Sequence, residues 1–150
     1  MNEEFDAQVV QIEELLRHVT VIIKKRGRDI LSDFAITNPQ FNALLVLDNH
    51  PDITMGELCD RLYLACSTAT DLIDRMEKNG LLERRRDVDD RRVIRLRPTP
   101  KAKEVIDRVI QARRRYVKSI LTKLEKKDIE TLARSLQQLH SLMTEENPPS

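Results

Sequence analysis

The sequence predicts a mainly α-helical chain: a winged helix-turn-helix with long N- and C-terminal dimerisation helices and a two-stranded β wing. Three observations predict it. Apolar residues recur at helical spacing over most of the 150 residues. Near the middle, two short helical segments are separated by a tight break. Directly after them the period changes from helical to alternating, within a stretch crowded with arginine.

The first thirty residues read as one helix. Phe5, Val9, Ile12, Leu16, Val19 and Ile23 alternate in steps of four and three, a heptad seam that favours packing against another helix along its length. Gly27 is expected to weaken the end of this helix, within the basic cluster Lys24, Lys25, Arg26 and Arg28. A second helix is announced by Thr37-Asn38-Pro39-Gln40. Thr37 can cap the free amides, Gln40 can reach back to the cap, and Pro39 is tolerated in a first turn that needs no N–H from it. Phe41, Leu44, Leu45 and Leu47 form its apolar side, and His50-Pro51-Asp52 ends it.

Thr54-Met55-Gly56-Glu57 repeats the capping signal for a third helix that buries Leu58 and Leu62. After a break at Tyr63-Leu64-Ala65, a fourth helix carries Ala69, Leu72, Ile73 and Met76 on one side. It stops at Lys78-Asn79-Gly80, with the glycine where a left-handed residue is expected. Leu81–Asp87 and Val93–Arg97 read as strands, and Ile94 and Leu96 alternate with Arg95 and Arg97 to make one face apolar and the other cationic. The linker Val88-Asp89-Asp90-Arg91-Arg92 is polar and turn-like. Thr99-Pro100 opens a fifth helix to about Lys123. A sixth shows a second heptad seam, Ile129, Leu132, Leu136, Leu139 and Met143, and residues 147–150 are expected to be a disordered tail.

Composition narrows the function classes. Charged residues are 34% and apolar residues 40%, the balance of a helix-rich soluble domain, and with only 3% aromatics the core rests on Leu, Ile and Val. No apolar run approaches the ~18–20 residues that cross a bilayer. The acidic start MNEEFDAQ lacks a signal-peptide core, so the expected location is the cytoplasm and no membrane partner is expected. Cys59 and Cys66 are too few for a disulfide framework, and His18, His50 and His140 have no metal-ligand spacing, so no metal and no cofactor are expected. With no phosphate loop and no nucleophile elbow, an enzyme is not expected.

The charge distribution is more specific than the total. Net charge is only +1, which argues against a surface that coats nucleic acid indiscriminately. Yet residues 81–97 hold Arg84, Arg85, Arg86, Arg91, Arg92, Arg95 and Arg97 against Glu83, Asp87, Asp89 and Asp90. Arginine offers a planar, always-charged fork suited to phosphate and to the electronegative minor groove. Taken alone the run fits a salt-bridged surface ribbon; following a helix-turn-helix it points to DNA.

With these motifs the chain resembles the MarR family of bacterial transcription regulators over nearly its whole length. The resemblance is carried by Leu81-Leu82-Glu83-Arg84, Asp87-Val88-Asp89-Asp90-Arg91-Arg92 and Thr99, and by Ser67-Thr68-Ala69-Thr70 followed by Asp74-Arg75-Met76-Glu77. It implies that residues 66–75 lie in the major groove, with Ser67, Thr68 and Thr70 near bases or phosphates. It also implies that Arg92 enters the minor groove, its guanidinium held by Asp90. The expected DNA-contacting set is Cys66, Ser67, Thr68, Thr70, Asp71, Arg75, Arg86, Asp90, Arg91 and Arg92. The expected dimerisation set is Val9, Ile12, Leu16 and Val19 in the first helix and Leu132, Leu136, Leu139 and Met143 in the last. The chain departs from the family pattern at four places. Asp71 stands where a basic residue is common, Ala65 where a serine commonly caps the helix (leaving Ser67 as the expected cap), Cys66 at an often basic position, and Pro98 and Ala102 after the wing.

The expected division is 1–35 as dimerisation helix, 36–99 as the DNA-binding domain, 100–146 as further dimerisation helices and 147–150 as tail. The expected function is a homodimeric repressor that binds a pseudo-palindromic operator in double-stranded DNA and is released by a small-molecule effector; Phe34, Phe41 and Tyr116 are candidate lining residues, against the plainer reading that so few aromatics serve the core. Two alternatives stand beside it. One is a redox-sensing regulator in which the dipole of the fourth helix activates the Cys66 thiol, against the plainer reading of a small residue that fits near DNA. The other is a helical protein-interaction module without specific DNA binding.

Overall fold

Capping chemistry sets the helix boundaries. The computed structural model describes residues 2–148. Helix α1 spans Glu3–Asp33, with Asn2 at its N-cap accepting from the Phe5 amide. It runs through Gly27 without a break, three residues beyond the thirty expected, and the cap amide of Phe34 closes it onto Leu31 and Ser32. One glycine costs about 1 kcal/mol in a helix interior, too little to stop one this long. Helix α2, Asn38–Asn49, begins with the expected reciprocal box: Thr37 Oγ1 accepts from Gln40 N at 3.3 Å, and Gln40 Oε1 accepts from Thr37 N at 3.1 Å. Thr54 and Glu57 repeat this at the start of α3, Met55–Leu62.

Helix α4, Cys66–Lys78, differs. Its N-cap is Ala65 and no side chain caps it, so the expectation that Ser67 does so is corrected. Ser67 is already inside the first turn, where its hydroxyl has passed the amides it would serve. The turn between α3 and α4 is closed by Tyr63, whose φ of 54° is left-handed, and the Leu64 amide donates to Cys59 O at 3.2 Å. At the other end Gly80 takes φ 74°, as expected, and Leu81 N returns to Met76 O.

The sheet holds one strand more than the sequence suggested. Strand β1 is Ile53–Thr54, β2 is Leu82–Arg86 and β3 is Ile94–Pro98, in the order β1-β3-β2 with antiparallel pairing throughout. Two residues are too short for an alternating pattern, so β1 was illegible. The other two strands shift from the expected Leu81–Asp87 and Val93–Arg97, because Leu81 belongs to the helix exit and Asp87 to the turn. The register sets Leu82 opposite Pro98, Arg84 opposite Leu96 and Arg86 opposite Ile94.

Helix α5 spans Pro100–Leu121, its first turn capped by the Thr99 hydroxyl accepting from Ala102 N, and α6 spans Lys126–Glu146. Of the expected tail, residues 149 and 150 lie outside the described residues. The chain divides into two compact units, Met1–Gln111 and Ala112–Ser150. In the first, Leu31, Phe41, Leu44, Leu47, Leu58, Ile73, Met76, Leu82, Leu96, Ile106 and Val109 form the core. That core seats α4 and the hairpin. None of the described helices is long and apolar enough to cross a membrane.

Candidate nucleic-acid interface

Burial on α4 alternates at helical period. Ala69, Ile73 and Met76 are buried, whereas Cys66, Ser67, Thr68, Thr70, Asp71 and Arg75 are exposed. The polar residues singled out from the sequence therefore share the outer side of one short helix. The Thr70 hydroxyl is occupied by a bond to Cys66 O at 2.7 Å, and the Ser67 and Thr68 side chains donate to no protein acceptor among the described residues. Since no side chain caps α4, its first amides also point outward unsatisfied, at the positive end of the helix dipole.

The hairpin sorts its seven arginines into two kinds. Arg84, Arg95 and Arg97 are partly buried and tied to carboxylates. Arg84 spans Asp74 and Glu77 of α4 at 2.5 and 3.1 Å. Arg95 Nε meets Asp87 Oδ1 at 2.6 Å, and its Nη1 donates to the Asp52 carbonyl at 2.9 Å. Arg97 grips the Asp52 carboxylate with two bonds, at 3.0 and 2.8 Å. For these three the salt-bridged ribbon is the right description. Sequence composition could not separate them from the rest, because Asp52, Asp74 and Glu77 lie outside the hairpin and Asp87 reaches Arg95 only through the strand pairing.

Of the remaining four, Arg86, Arg91 and Arg92 crowd the tip and Arg85 lies within β2 opposite Arg95. Arg85 lies only loosely by Glu83, at 3.9 Å. Arg86 donates to the Arg91 carbonyl at 3.3 Å, and neither Arg86 nor Arg91 has a carboxylate partner among the described residues. Arg92 is 91% exposed and lies on Asp90 through two bonds, at 3.1 and 3.2 Å. Asp90 also accepts the Arg92 amide at 3.0 Å, so a single carboxylate fixes backbone and guanidinium together.

Asp87 organises the turn beneath. Its carboxylate accepts the amides of Asp89 and Asp90 while holding Arg95. These contacts favour the charged form, so the carboxyl sits below the ordinary aspartate range, with the Arg95 hydrogen bond the first cause and the Asp90 amide the second. Asp90 is lowered by the Arg92 side chain first and its amide second, and Asp52 is lowered by Arg97. Sequence reasoning placed Asp90 in the interface but missed Asp87 and Asp52 as supports. The Asp at the start of a turn, two and three residues ahead of the amides it caps, was the available signal for Asp87.

The two thiols have opposite settings. Cys59 is buried on α3, and Cys66 is exposed at the first position of α4. Burial pushes the Cys59 thiol up to about 11, helped by a hydrogen bond with the Cys66 thiol. Among the described residues no group of three His, Cys, Asp or Glu side chains is placed to hold a metal ion. A cleft of about 550 Å³ lies between the start of α2 and α4, lined by Thr37, Gln40, Leu64, Thr68, Asp71 and Arg75 among others. Of the three aromatics considered as effector contacts, Phe41 is buried in the core, and Phe34 and Tyr116 are half-buried.

Comparison with known proteins agrees with this arrangement. The model of the MarR family matches residues 36–94, from the start of α2 to the second wing strand. The HTH-type transcriptional regulator YsmB of Bacillus subtilis is 45% identical over 135 residues, covering 90% of this chain and 92% of YsmB. The structure of a MarR family protein from Bacillus stearothermophilus aligns at a TM-score of 0.79 with 43% identity, over 96% of this chain and 99% of that one. The transcriptional regulator Tm0710 of Thermotoga maritima aligns equally well, at 0.79 with 34% identity, over 93% and 99%. With a matching wing, a matching helix-turn-helix and relatives alike over nearly their full length, this chain belongs to the MarR family of winged helix-turn-helix transcriptional regulators.

Proposed function

We propose that the protein is a homodimeric repressor that reads a pseudo-palindromic operator in double-stranded DNA and is released by a small-molecule effector. The observation that carries the DNA contact is the sorting of the hairpin arginines. Three are spent on internal ties, and of the four left exposed, Arg85 lies along β2 while Arg86, Arg91 and Arg92 gather at the wing tip. In this reading the outer side of α4 enters the major groove, and its uncapped amides receive a backbone phosphate. Cys66, Ser67, Thr68, Thr70, Asp71 and Arg75 face the bases and phosphates there. Asp71 accepts from a cytosine amino group, which makes it a determinant of sequence choice. Arg92, pre-set on Asp90, enters the minor groove, flanked by Arg86 and Arg91 on phosphates.

Dimerisation assigns a role to apolar surface that is otherwise unexplained. Val9, Ile12, Leu16 and Val19 on α1, and Leu132, Leu136 and Met143 on α6, are exposed in the single chain, while Leu139 is half-buried. On this reading residues 1–35 and 100–146 serve assembly and 36–99 serves DNA. The cleft beside Thr68, Asp71 and Arg75 supports effector control, because an occupant there would press on the DNA-reading helix and favour a dimer with misplaced helices. The thiol pair favours a second reading, a redox-responsive regulator of the same fold. In it the exposed Cys66 is the oxidised group.

Selection of bound duplexes from random DNA tests the proposal. A pseudo-palindrome with half-sites about one helical turn apart is expected. Affinity should fall roughly 10³–10⁵-fold between 50 and 200 mM salt if about 6–10 phosphates are contacted. Arg92→Ala should weaken binding by about 1–3 kcal/mol per half-site. A flat salt response with no enriched sequence would leave the helical interaction module as the better account.

A further inference from the structure

We infer that Arg84 is a positioning residue for DNA reading: by bridging Asp74 and Glu77 it locks the recognition helix α4 to wing strand β2, so that the two enter DNA as one rigid body. The inference rests on the DNA-binding reading above. It concerns a residue that makes no contact with DNA itself.

Strand register explains why this arginine, among seven, turns inward. Arg84 is paired with Leu96 and lies on the same face of the hairpin as Leu82, both of which are fully buried. That face packs on the core that holds Ile73 and Met76 of α4. The Arg84 side chain is only 26% exposed, and its Nε is buried without a hydrogen-bond partner. Its two terminal nitrogens reach separate carboxylates, Nη2 to Asp74 Oδ1 at 2.5 Å and Nη1 to Glu77 Oε1 at 3.1 Å.

The placing of those carboxylates matters. Asp74 and Glu77 are three residues apart, neighbours on one side of α4 about a turn apart along its axis. A contact at one point lets a helix pivot; two contacts a turn apart fix its roll as well as its distance. Both acids also lie in the C-terminal half of α4, where the helix dipole disfavours negative charge. One cation against two anions leaves this cluster net negative, which disfavours a phosphate contact and suits a mechanical tie. The N-terminal end of α4 has no side-chain cap, so its side-chain ties lie toward the C-terminal end, where Arg84 holds Asp74 and Glu77 and Lys101 holds the Asn79 carbonyl. Loss of the tie leaves Ala69, Ile73 and Met76 in the core, so α4 stays folded while its setting relative to the wing loosens.

The test uses the full-length protein, the duplex selected by the wild type, and a random duplex of equal length, each titrated across salt concentration. Arg84→Gln should lower the ratio of selected to random affinity roughly 5–30-fold with the salt slope unchanged, whereas the lost charge alone would weaken both duplexes equally. Arg84→Lys should restore part of this, since an ammonium meets the two carboxylates less well than a fork. The double variant Asp74→Asn with Glu77→Gln leaves Arg84 in place, and serves also if Arg84→Gln fails to fold. It removes two negative charges, so charge alone would raise affinity for both duplexes equally; positioning instead lowers the ratio of selected to random affinity. A salt slope reduced by about one, with both duplexes weakened alike, would make Arg84 a phosphate contact and overturn the inference. An unchanged ratio in every variant would overturn it too. If the wild type does not discriminate between the duplexes, the DNA reading itself fails, and this is seen before any variant is compared.

Discussion

Cys66 and Cys59 are one residue type in two environments, and the difference is chemical before it is structural. Cys59 is enclosed on α3, and with its thiol at about 11 it stays protonated at neutral pH. Cys66 is exposed at the first position of α4. Alkylation at pH 8 should therefore label Cys66 readily and Cys59 only after unfolding, as peptide mass mapping would read. If the redox reading holds, the Cys66 sulfur attacks a hydroperoxide oxygen, the O–O bond breaks, and the thiol becomes a sulfenic acid as the hydroperoxide leaves as the alcohol, the thiol proton accounting for the hydrogen balance. DNA should then be released from the wild type and retained by Cys66→Ser. Equal release from both would clear Cys66 of that role. Sequence alone suggested a reactive Cys66. It gave no sign that Cys59 lies against it, because contact across the turn depends on the left-handed Tyr63.

At the scale of elements, the wing is a hairpin whose shape depends on ionised aspartates. Asp52, Asp87 and Asp90 all have carboxyls held below the ordinary range by arginine partners, Asp87 and Asp90 with further help from backbone amides. A group whose folded pKa is depressed adds stability above its unfolded value, about 3.9 for aspartate, and loses it as pH falls through the folded value. The wing should thus keep its order at all pH values from 8 down to about 4 and open below that. Carboxyl chemical shifts followed by NMR should show the three groups titrating below 3.9, with protection of the Asp89 and Asp90 amides lost alongside. Titration at or above 3.9 would mean that these ties do not form in solution. Most elements were legible beforehand, because capping boxes at Thr37 and Thr54 and the Gly80 stop are written locally. Strand β1 and the absent cap on α4 were not. The first is too short to show a period, and in the second the helix start near Cys66 was legible but Ser67 was expected to cap it, a matter of one or two residues that local sequence does not resolve. The same limit applies to the interface: residue types located it, but which arginines are tied down depends on partners remote in sequence.

For the whole molecule, the open question is what covers the apolar rows on α1 and α6. Leaving a large aliphatic side chain in water instead of burying it forgoes about 1.5–3 kcal/mol, and α1 alone exposes Val9, Ile12, Leu16 and Val19. A dimer removes this cost. Sedimentation should give twice the chain mass for the wild type. Leu16→Glu or Leu136→Glu should shift the protein toward single chains and weaken binding to the selected duplex together. A wild type that sediments as a single chain would refute the homodimer.

Strand β1 has one more consequence, for the order of assembly. Ile53 pairs with Leu96 and Thr54 with Arg95, so α3, α4 and the wing turn all lie within a loop whose two ends are stitched together. Closing such a loop is slow, because its entropy is lost before the distant contact forms. During synthesis both helices emerge from the ribosome before β3 does. The DNA-reading surface is thus completed late, once the chain has emerged past Pro98, and a nascent chain halted within the wing has both helices but lacks the strand that closes them into the sheet.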